Sequence, residues 1–487
     1  MPRPLLCATV TATTMAELLQ RRDAVRGADL VELRLDGVTD VDIAGALAGR
    51  RLPVIATCRA ARQGGRFDGS EEVRVRLLEQ AWELGAEFVD VESDAADALV
   101  ARARGRRLVR SHHDFTGGVA EAADRLRHLL ASGAEVGKIA VTVTRLDELP
   151  DLAALGRSAG GRAVVLAMGE AGLASRVLAE RFAARWTYAG DGVAPGQAPL
   201  ARMRDEFRVP AIGPSTRVFG VIGRPLAHSL SPAMHNAAFA AAGLDAVYLP
   251  LAAADFADFV GFARAFAVEG VSVTAPYKVE ALAAADAADA LTRQVGAANT
   301  LRRAAGGWDA RNTDVAGVVA PLAGRDLRGR AVAILGAGGA ARAVVVAMRE
   351  TGAVVTIHAR RAGAATRLAA DLGVAAGEWP PAADWDVLVN TTPVGTAPAL
   401  DDQPIALHGS LAGRLVYDLI YAPRDTALLR RARALGAETL DGLPMLAAQA
   451  AAQFTWWTGL PSPAAVMQRA ALAGRPADLP LSVPGRA

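Results

Sequence analysis

The first two hundred residues repeat one unit, which consists of a short apolar segment, a polar turn and an alanine-rich amphipathic segment. Eight apolar segments of this kind follow one another in the order LLCATV, LVELRL, LPVIATC, EFVDVE, RLVRSHHD, KIAVTV, RAVVLAMG and RWTYAGD. Segments between them, such as SEEVRVRLLEQAWELGA and GVAEAADRLRHLLASGA, have helical periodicity. Eight strands that alternate with helices over this length predict a closed (β/α)8 barrel, whose site lies where the strands end.

The second half of the chain begins a different α/β pattern. The stretch PAIGPSTRVFGVIGRP is rich in Pro and Gly, which predicts a domain boundary around Pro214. Farther on, GRAVAILGAGGAARAVVVAMRE places a strand, a glycine-rich turn and a helix in the order of a dinucleotide-binding fold. The predicted division is a barrel over 1–214 and a two-lobed α/β unit over 215–487. That unit comprises a substrate lobe at 215–320 and 421–475, a Rossmann-like nucleotide lobe at 321–420 and a disordered tail at 476–487.

The composition excludes several classes of protein. The 487 residues include 53 lysines and arginines against 51 acidic residues, so no bulk charge attracts nucleic acid or anionic lipid. No uncharged apolar run approaches membrane-spanning length, and the apolar core of the N-terminus is too short for a signal peptide. The two cysteines, Cys7 and Cys58, lack Cys or His partners at metal-binding spacing. These features predict a soluble cytoplasmic protein with no metal, no membrane partner and no nucleic-acid partner.

A lysine interrupts the apolar segment GAEVGKIAVTV. Side chains of a strand alternate between its two faces, so Lys138 shares a face with Ala140 and Thr142, and the branched residues occupy the other face. The face of small residues leaves room for a long side chain along the barrel interior, while the branched face suits a covering helix. A lysine that merely reaches solvent from a strand end is the alternative for this segment taken alone.

Other polar residues recur where the barrel strands end. Glu32, Arg34 and Asp36 share one strand face, a composition that a packed barrel interior excludes unless something polar binds there. The next strand ends carry Arg59, Asp90, Glu92, His112, His113 and Asp114. A lysine among apolar walls and near another cation can be partly neutral and attack a ketone, and a histidine can then move the proton. With arginines available for a carboxylate, these residues predict a Schiff-base lyase for a small acidic keto compound, either an aldolase or a dehydratase.

The first half resembles the type I 3-dehydroquinate dehydratases. The motifs VELRLD, TCRAARQGG, FVDVE, SHHDF, GAEVGKIAVTV, MGEAGLASR and APGQ occur in the family's order over essentially all of residues 1 to 210. The resemblance implies that Lys138 forms the Schiff base and that His113 is the acid/base. It implies substrate-site roles for Glu32, Arg34, Arg59, Arg176 and Gln197. Among these, Arg176 would bind the substrate carboxylate and Gln197 would lie on a closing loop.

The glycine-rich turn of the second half has the spacing of a nucleotide site. GAGGAARA places Gly336, Gly338 and Ala341 at G-x-G-x-x-A positions, which lets the backbone approach a pyrophosphate at a helix N-terminus. At the end of the next strand, Arg360 and Arg361 stand where an acid would bind a ribose hydroxyl. Two arginines there favour the 2'-phosphate of NADP, and an exposed basic turn is the alternative.

Polar residues upstream of this turn cluster in short motifs. Ser229 and Ser231 lie in GRPLAHSLSPAMHNAAF, where Ser231 could equally cap a helix. The motifs VSVTAPYK, GAANT and ARNTD contribute Thr274, Lys278, Asn299, Asn312 and Asp314. A lysine and an aspartate that meet in a cleft can relay the proton that accompanies hydride transfer to a ketone. A surface ion pair is the alternative for these two residues.

The second half resembles shikimate dehydrogenase from about Val218 to Leu472. Besides the motifs above, it contains NTTPVG, YDLIYAP and DGLPMLAAQA in the family's order. The resemblance implies that Lys278 and Asp314 are the catalytic pair and that NADPH is the cofactor. It implies substrate binding by Ser229, Ser231, Thr274, Asn299, Asp314, Tyr421 and Gln449. It implies cofactor binding by Gly336, Gly338, Gly339, Ala340, Arg360, Arg361 and Gly442.

Four positions depart from the patterns of these families. Gln63 stands where enteric bacterial dehydratases have a glutamate, and Val193 stands where a serine often precedes APGQ. Ser272 stands where bacterial dehydrogenases commonly have asparagine. Ala359 replaces the asparagine of the N-R-T phosphate motif, so NADP binding depends more heavily on the two arginines that follow.

The whole chain thus resembles the fused dehydroquinate dehydratase/shikimate dehydrogenases of plants. The resemblance implies dehydration of 3-dehydroquinate to 3-dehydroshikimate and reduction of that ketone by NADPH to shikimate, two steps of aromatic amino acid biosynthesis. A quinate-using enzyme run in the opposite direction and a non-catalytic sensor with the same domains are the alternatives. The intact lysines and His113 disfavour the sensor, and the serine pair favours shikimate over quinate. The residues favour neither a monomer nor a dimer.

Overall fold

The computed structural model describes residues 3–95, 100–101, 107–116 and 118–474 of the chain. Contacts between Cα atoms divide the chain into two compact units. The first unit comprises Met1–Arg217 and Asp245–Ala267, and the second comprises Val218–Leu244 and Val268–Ala487. A single boundary near Pro214 would place Asp245–Ala267 in the second unit, so the contacts assign this one segment differently. The tail predicted over 476–487 lies outside the described residues.

Eight parallel strands form the sheet of the first unit, and each overlaps one of the eight predicted segments. They are β1 Leu5–Thr11, β2 Leu30–Arg34, β3 Val54–Thr57, β4 Phe88–Glu92, β5 Leu108–Asp114, β6 Val136–Thr142, β7 Ala163–Met168 and β8 Trp186–Ala189. The strand order is β7-β6-β5-β4-β3-β2-β1-β8. Hydrogen bonds between β7 and β8, the two end strands in this order, would close the barrel completely. This nearly closed barrel confirms the predicted (β/α)8 architecture.

Helices separate the barrel strands along the chain. They are α1 Met15–Ala24, α2 Ile43–Leu47, α3 Glu71–Glu83, α4 Ala122–Ala131, α5 Leu149–Ser158 and α6 Leu173–Val177. α3 begins after Ser70, whose hydroxyl accepts a hydrogen bond from the backbone N–H of Val73. Its buried residues, which include Leu78 and Ala81, face the sheet side of the unit, as the amphipathic pattern predicts.

The interior of the barrel changes from apolar to charged along the strand direction. One buried cluster contains Cys7, Leu30, Ile55, Val109, Val136, Val164 and Trp186, with Phe88 packed against it. The residues two positions farther along three of these strands are Glu32, Asp90 and Lys138. Because residues two apart share a strand face, these charged side chains form the next interior layer toward the C-terminal ends of the strands.

Residues 217–319 form six further strands and five helices. The strands in this part of the chain are β9 Arg217–Ile222, β10 Ala246–Leu251, β11 Val268–Val273, β12 Ala287–Ala288, β13 Thr300–Arg303 and β14 Trp308–Arg311. β11 pairs in parallel with β9 and antiparallel with β13, and β13 continues through β14 to β12. The helices are α7 Ser231–Ala241, α8 Phe256–Ala265, α9 Lys278–Ala283, α10 Ala290–Val295 and α11 Asp314–Val319.

A parallel sheet of six strands forms the nucleotide lobe. Its strands are β15 Ala331–Leu335, β16 Val354–His358, β17 Ala375–Ala376, β18 Val387–Asn390, β19 Leu415–Asp418 and β20 Glu438–Leu440. The order β17-β16-β15-β18-β19-β20 reverses direction beside β15, which is where doubly wound sheets bind ligands. Helices α12 Gly339–Glu350 and α13 Ala362–Leu372 follow β15 and β16. The predicted Rossmann-like arrangement is confirmed.

Three helices complete the second unit, namely α14 Ala427–Ala434, α15 Leu443–Thr458 and α16 Ala464–Ala473. α15 is the longest of them, with 16 residues, and it buries Gln449 and Gln453 on one side. Among the helices of the described residues, none combines the length and the apolar content that a bilayer crossing requires.

The segment Asp245–Ala267 joins the first unit through polar and aromatic contacts. The Asp258 carboxylate of α8 accepts a hydrogen bond of 2.7 Å from the backbone N–H of Asp147. Asp255 forms an ion pair of 2.8 Å with Arg145. The Phe266 ring stacks on Phe182 with centroids 5.7 Å apart. These contacts explain why the segment belongs to the first unit although it follows β9 in the chain.

Candidate active sites

A cavity of about 150 Å³ lies at the C-terminal ends of the barrel strands. The predicted site residues that line it are Glu32, Arg34, Arg59, His113, Lys138, Arg176 and Gln197. The structure therefore brings together every residue predicted for the first site. Asp36 lies in the turn after β2 and pairs with Arg34 at 2.8 Å, so this carboxylate orients a lining arginine from outside the lining.

The Lys138 amine lies between two carboxylates and an aromatic ring. Its Nζ donates to Asp90 Oδ2 at 2.9 Å and to Glu32 Oε1 at 3.3 Å. The Tyr188 ring centroid is 4.4 Å from the same Nζ, within the range of a cation–π contact. The expectation of apolar walls around this lysine is wrong at the amine, because the neighbouring strands contribute acids to the same interior layer. The side chain is 5% exposed, which rules out a lysine that merely reaches solvent.

Asp90 joins the lysine to a second buried cation. Its Oδ2 also accepts from Arg59 Nη2 at 2.9 Å, and its Oδ1 accepts from the Ser111 hydroxyl at 2.5 Å. Burial opposes ionisation of this carboxyl, but the charges of Arg59 and Lys138 outweigh burial and hold the pKa of Asp90 well below its usual range. Asp90 was identified in the sequence only as a polar strand end, because its contact with Lys138 depends on how the barrel strands are arranged in space.

His113 is neutral in this environment. Burial, followed by the charges of Arg59 and Lys138, lowers the pKa of His113 well below its usual value. Its backbone N–H donates to Gln63 Oε1 at 3.0 Å, so Gln63 is a further lining residue that contacts the histidine. The ring Nδ1 is buried and makes no hydrogen bond within the described part of the chain. A neutral imidazole of this kind is available as a base.

Arg176 is a buried cation that forms no ion pair within the part of the chain that the structure describes. It is 2% exposed, and one of its Nη atoms donates to the carbonyl oxygen of Ala167. No carboxylate among the described residues pairs with it, and its Nε has no hydrogen-bond partner there. Burial lowers the pKa of Arg176 to about 10, so the side chain is still charged at neutral pH. A buried charge of this kind requires an anion, and the cavity is where one can bind.

The loop after β8 closes one side of the barrel cavity. Gln197 Nε2 donates to the Thr9 hydroxyl at 3.2 Å, and Val193, Ala194 and Pro195 add apolar lining. Tyr188 and Thr9 are lining residues that sequence reasoning missed. The signal for Tyr188 is its position two residues after Trp186 on the interior face of β8.

The second unit contains its own cavity, with a volume of about 190 Å³. The predicted residues that line it are Ser229, Ser231, Thr274, Lys278, Asp314, Ala340, Tyr421, Gly442 and Gln449. Asn299 lies behind this lining, where its Nδ2 donates to Asp314 Oδ1 at 2.7 Å and to Gln449 Oε1 at 2.9 Å. Asn299 therefore orients two lining residues.

Lys278 and Asp314 form an ion pair in the second cavity. The distance between Lys278 Nζ and Asp314 Oδ2 is 2.6 Å, and the side chains are only 14% and 5% exposed. Lys278 is the first residue of α9, and Asp314 is the first residue of α11. This burial excludes the alternative of a surface ion pair.

Sequence reasoning missed Gln453 and gave Ser272 no role in the second cavity. The Ser272 hydroxyl lines the cavity and donates to Gln453 Oε1 at 2.8 Å. Gln453 also donates through Nε2 to the Thr300 hydroxyl at 3.0 Å. The signal for Gln453 is its spacing of one helical turn after Gln449 on α15.

The glycine-rich turn has the geometry of a nucleotide cradle. Gly336 has φ +112°, and a Cβ there would lie 2.5 Å from the Thr391 hydroxyl oxygen. Gly338 precedes the first residue of α12, and a Cβ at Gly339 would lie 3.2 Å from Cδ of Lys278. The glycines therefore leave free space at the N-terminus of α12 that side chains would otherwise fill. A bound pyrophosphate requires such a space next to the backbone N–H groups of a helix N-terminus. These residues fit a dinucleotide.

Arg360 and Arg361 lie two and three residues after the end of β16, and both are exposed. Neither forms an ion pair with any described residue. Their place at the carboxyl end of the strand next to β15 fits the adenosine end of a dinucleotide. The described residues contain no group of three or more His, Cys, Asp or Glu side chains that could hold a metal ion.

Models of three protein families match the chain. The model described as type I 3-dehydroquinase matches residues 6–242. The shikimate dehydrogenase substrate binding domain matches residues 221–301, and the shikimate 5'-dehydrogenase C-terminal domain matches residues 442–472. A solved shikimate dehydrogenase in complex with NADP+ has 33% identity and a TM-score of 0.50, and the match covers 54% of this chain and 96% of that one.

The fold and the two cavities define a fused enzyme with a lysine site in a barrel and a dinucleotide-binding oxidoreductase unit. The bifunctional 3-dehydroquinate dehydratase/shikimate dehydrogenase of Arabidopsis thaliana is 32% identical over 501 residues, which cover 94% of this chain and 83% of the relative. The chain belongs to the family of bifunctional 3-dehydroquinate dehydratase/shikimate dehydrogenases. A shikimate dehydrogenase (NADP(+)) of Anaeromyxobacter sp. (strain Fw109-5) is 42% identical over 288 residues, which cover 56% of this chain and 98% of that relative.

Proposed function

We propose that the two cavities catalyse successive reactions of the shikimate pathway. The barrel dehydrates 3-dehydroquinate to 3-dehydroshikimate, and the second unit reduces that ketone to shikimate with NADPH. Membership of the family supports both activities. The relative named as an NADP(+) enzyme and the solved structure with NADP+ support the cofactor.

Lys138 starts the dehydration. The Lys138 ammonium gives a proton to His113, and the resulting amine adds to the ketone carbon of 3-dehydroquinate. His113 returns that proton to the former ketone oxygen, which departs as water, so that an iminium forms. Asp90 and Glu32 lie 2.9 and 3.3 Å from Nζ and stabilise the positive charge where the iminium develops. The iminium withdraws electrons from the neighbouring carbon, which makes its C–H acidic.

His113 moves the proton in the next step. The neutral imidazole takes the proton from the acidified carbon, and the electron pair left behind expels the hydroxyl group two atoms away. The proton returns through His113 to this hydroxyl, which departs as water. A second water hydrolyses the iminium, releases the enone and regenerates the amine, so one water is lost overall.

The unpaired guanidinium of Arg176 is the observation that carries this assignment. Arg176 has a carbonyl partner but no acidic partner among the described residues, so an anion bound beside it would stabilise its buried charge, and 3-dehydroquinate carries one carboxylate. A bidentate arginine–carboxylate contact would orient the ring so that its ketone faces Lys138. A sensor or scaffold without turnover has no use for this combination of cation, nucleophile and neutral base.

Lys278 and Asp314 serve the reduction. When bound, NADPH supplies the hydride that reaches the ketone carbon. The Lys278 ammonium donates a proton to the oxygen that becomes negative, and Asp314 holds Lys278 in place at 2.6 Å. Asn299 fixes the second oxygen of Asp314. The hydroxyls of Ser229, Ser231 and Thr274 bind the ring substituents.

The cofactor lies along the carboxyl ends of the parallel sheet in this proposal. Backbone N–H groups at the start of α12 bind the pyrophosphate, with Gly336 and Gly338 leaving the space. Arg360 and Arg361 bind the 2'-phosphate that distinguishes NADP from NAD. We also propose a cytoplasmic location, which the two buried free thiols favour, because reducing compartments keep cysteines unpaired.

One continuous assay tests both halves. The purified chain is mixed with 3-dehydroquinate and NADPH, and enone absorbance is followed together with the loss of NADPH absorbance. We expect enone formation first and NADPH consumption after it. Borohydride added with 3-dehydroquinate reduces the iminium, so peptide mapping should find the adduct on Lys138. An adduct on another lysine, or NADPH loss without an enone, would contradict the assignment.

A further inference from the structure

A buried carboxylate at the end of β19 lies outside the lining of both cavities. Asp418 is 0% exposed, and no Lys, Arg or His among the described residues forms an ion pair with it. Burial raises the pKa of Asp418 to about 6, against the lowering effect of its hydrogen bonds. A buried acid without a counter-ion destabilises the folded chain unless hydrogen bonds compensate it, so its partners indicate why it is there.

One set of contacts leads from Asp418 to the glycine-rich turn. Asn390 is its register partner on β18, and Asn390 Nδ2 donates to Asp418 Oδ1 at 2.9 Å. Asn390 Oδ1 accepts from the backbone N–H and the hydroxyl of Thr392, at 3.0 and 2.7 Å. The neighbouring Thr391 hydroxyl donates to the Leu335 carbonyl at 2.7 Å, directly before Gly336. The first set thus connects the carboxylate to the nucleotide cradle.

A second set of contacts leads from Asp418 to the substrate cavity. The backbone N–H of Ile420 donates to Oδ1 at 3.2 Å, and the Thr426 hydroxyl donates to Oδ2 at 2.7 Å. Leu419 and Tyr421, the neighbours of Ile420, line the cavity. The carboxylate therefore holds both ends of the loop 419–426.

We infer that Asp418 is a positioning residue for hydride transfer, because one carboxylate holds the turn that binds the nucleotide and the loop that lines the substrate site. It contacts neither substrate nor cofactor and acts through Asn390, Ile420 and Thr426. Hydride transfer needs donor and acceptor carbons in close approach, and a displacement of about 1 Å lowers the rate of such a step on the order of 100-fold. The inference rests on the proposed reductase function of this cavity.

The partners of Asp418 define a conservative variant and a disruptive variant. An asparagine keeps one oxygen for the Asn390 and Ile420 donors and turns its amide toward the Thr426 hydroxyl, which can accept. Asp418→Asn therefore preserves both sets of contacts. Asp418→Ala removes both and leaves three buried donors without their acceptor.

The test is the kinetics of shikimate oxidation by Asp418→Ala in the full chain. We expect kcat to fall about tenfold or more, while KM for shikimate changes by less than about threefold, because lining residues remain. The deuterium isotope effect on kcat, with shikimate labelled at the transferred hydrogen, should rise as hydride transfer becomes more rate-limiting. Asp418→Asn should recover kcat to within about threefold of the original chain.

A matched control separates positioning from stability. Asp386 lies just before β18, at the opposite end of that strand, and accepts from the backbone N–H of Ala331 at 2.9 Å. Asp386→Ala should lower thermal stability without changing kcat or the isotope effect. The dehydratase rate of each preparation, measured in the same chain, reports the amount of chain with a folded barrel, so that dehydrogenase rates are compared at equal amounts of chain.

Several outcomes overturn the inference. A loss of thermal stability in Asp418→Ala with unchanged kcat and isotope effect would make the residue purely structural. An equal loss of kcat in Asp386→Ala would have the same consequence. If Asp418→Ala does not fold, Asn390→Ala cuts only the first set of contacts, and an unchanged kcat in that variant counts equally against positioning. Failure of the proposed function is recognised separately, because the unaltered chain would then not oxidise shikimate.

Discussion

The buried cations of the barrel cavity differ in how their charge is balanced. Lys138 and Arg59 share Asp90, whereas Arg176 has no acidic partner among the described side chains. In the proposed mechanism, Asp90 holds Lys138 in place before the substrate binds, and the Arg176 guanidinium binds the substrate carboxylate. In this proposal, Asp90 positions the reacting amine and Arg176 recognises the carboxylate of the substrate.

A buried histidine in the second unit is uncharged for a structural reason. His235 on α7 is 0% exposed, and its Nε2 lies 3.3 Å from Gln453 Oε1. Its ring lies 5.2 Å from that of Trp457. Burial lowers the pKa of His235 to about 3, although the hydrogen bond with Gln453 opposes the change. At mildly acidic pH, His235 therefore stays unprotonated in the folded chain, whereas the same histidine is protonated in the unfolded chain.

The difference between the pKa of His235 in the folded and in the unfolded chain predicts how the free energy of unfolding depends on pH. An unfolded histidine has a pKa of about 6.5, so below that pH the unfolded chain binds the extra proton and the free energy of unfolding decreases. At pH 5 the loss from His235 should be about 2 kcal/mol relative to pH 8. Urea unfolding of the chain and of His235→Asn at both pH values measures it, since the variant should lose less stability on acidification. His408 is exposed, so His408→Asn is the control and should keep the original dependence. Parallel curves for His235→Asn and the unaltered chain would contradict this account.

At the scale of elements, the turn between β15 and α12 depends on a glycine. Gly336 combines a φ of +112° with a would-be Cβ only 2.5 Å from the Thr391 hydroxyl oxygen. Its backbone N–H also donates to the His358 carbonyl at 2.8 Å, which joins the turn to the end of β16. A side chain at this position must therefore change the direction in which the strand enters the helix.

Gly336→Ala should weaken NADPH binding more than it affects any other property of the chain. A non-glycine residue in this backbone region costs about 1 to 3 kcal/mol, and the turn can relieve that strain by moving away from Thr391. We expect KM for NADPH to rise about tenfold or more, with the dehydratase rate unchanged. Gly306→Ala is the control, because a Cβ there meets no atom within 4 Å. An unchanged KM for NADPH in Gly336→Ala would show that the cofactor does not use this turn.

At the scale of the whole molecule, each compact unit contains all the lining residues of its own cavity. The lining of the barrel cavity runs from Thr9 to Gln197, within the first unit. Every residue that lines the second cavity lies in Val218–Leu244 or after Val268. Neither cavity is lined by a residue of the other unit. We therefore expect that a substitution in one cavity leaves the activity of the other unchanged.

Two lysine substitutions test this separation. Lys138→Met should abolish dehydration and still oxidise shikimate at nearly the original rate, and Lys278→Met should do the reverse. An equimolar mixture of the two variants should convert 3-dehydroquinate to shikimate after a lag, because the intermediate must diffuse between chains. Either variant losing both activities would show that the units do not function independently.

The sequence by itself determined the features that depend on neighbours along the chain. The repeated order of a short apolar segment, a polar turn and an amphipathic segment located the eight barrel strands, because parallel strands that are covered on both faces are apolar almost throughout. The order strand, glycine-rich turn and helix located the nucleotide lobe, since only a few residue types tolerate such a turn. Motif order over both halves indicated the family, which the comparison with the Arabidopsis relative confirmed.

Only the tertiary structure decided which distant residues share an environment. Lys138 and Asp90 lie on different strands and Arg59 follows a third, and their contacts depend on the arrangement of a nearly closed barrel. The isolation of Arg176, the contacts of Asp418 and the place of Asp245–Ala267 in the first unit likewise depend on packing between remote segments. The burial of a side chain and the balance of charge around it depend on all of its neighbours in space. A local sequence pattern can therefore identify a polar residue, but it does not determine which partner neutralises that residue.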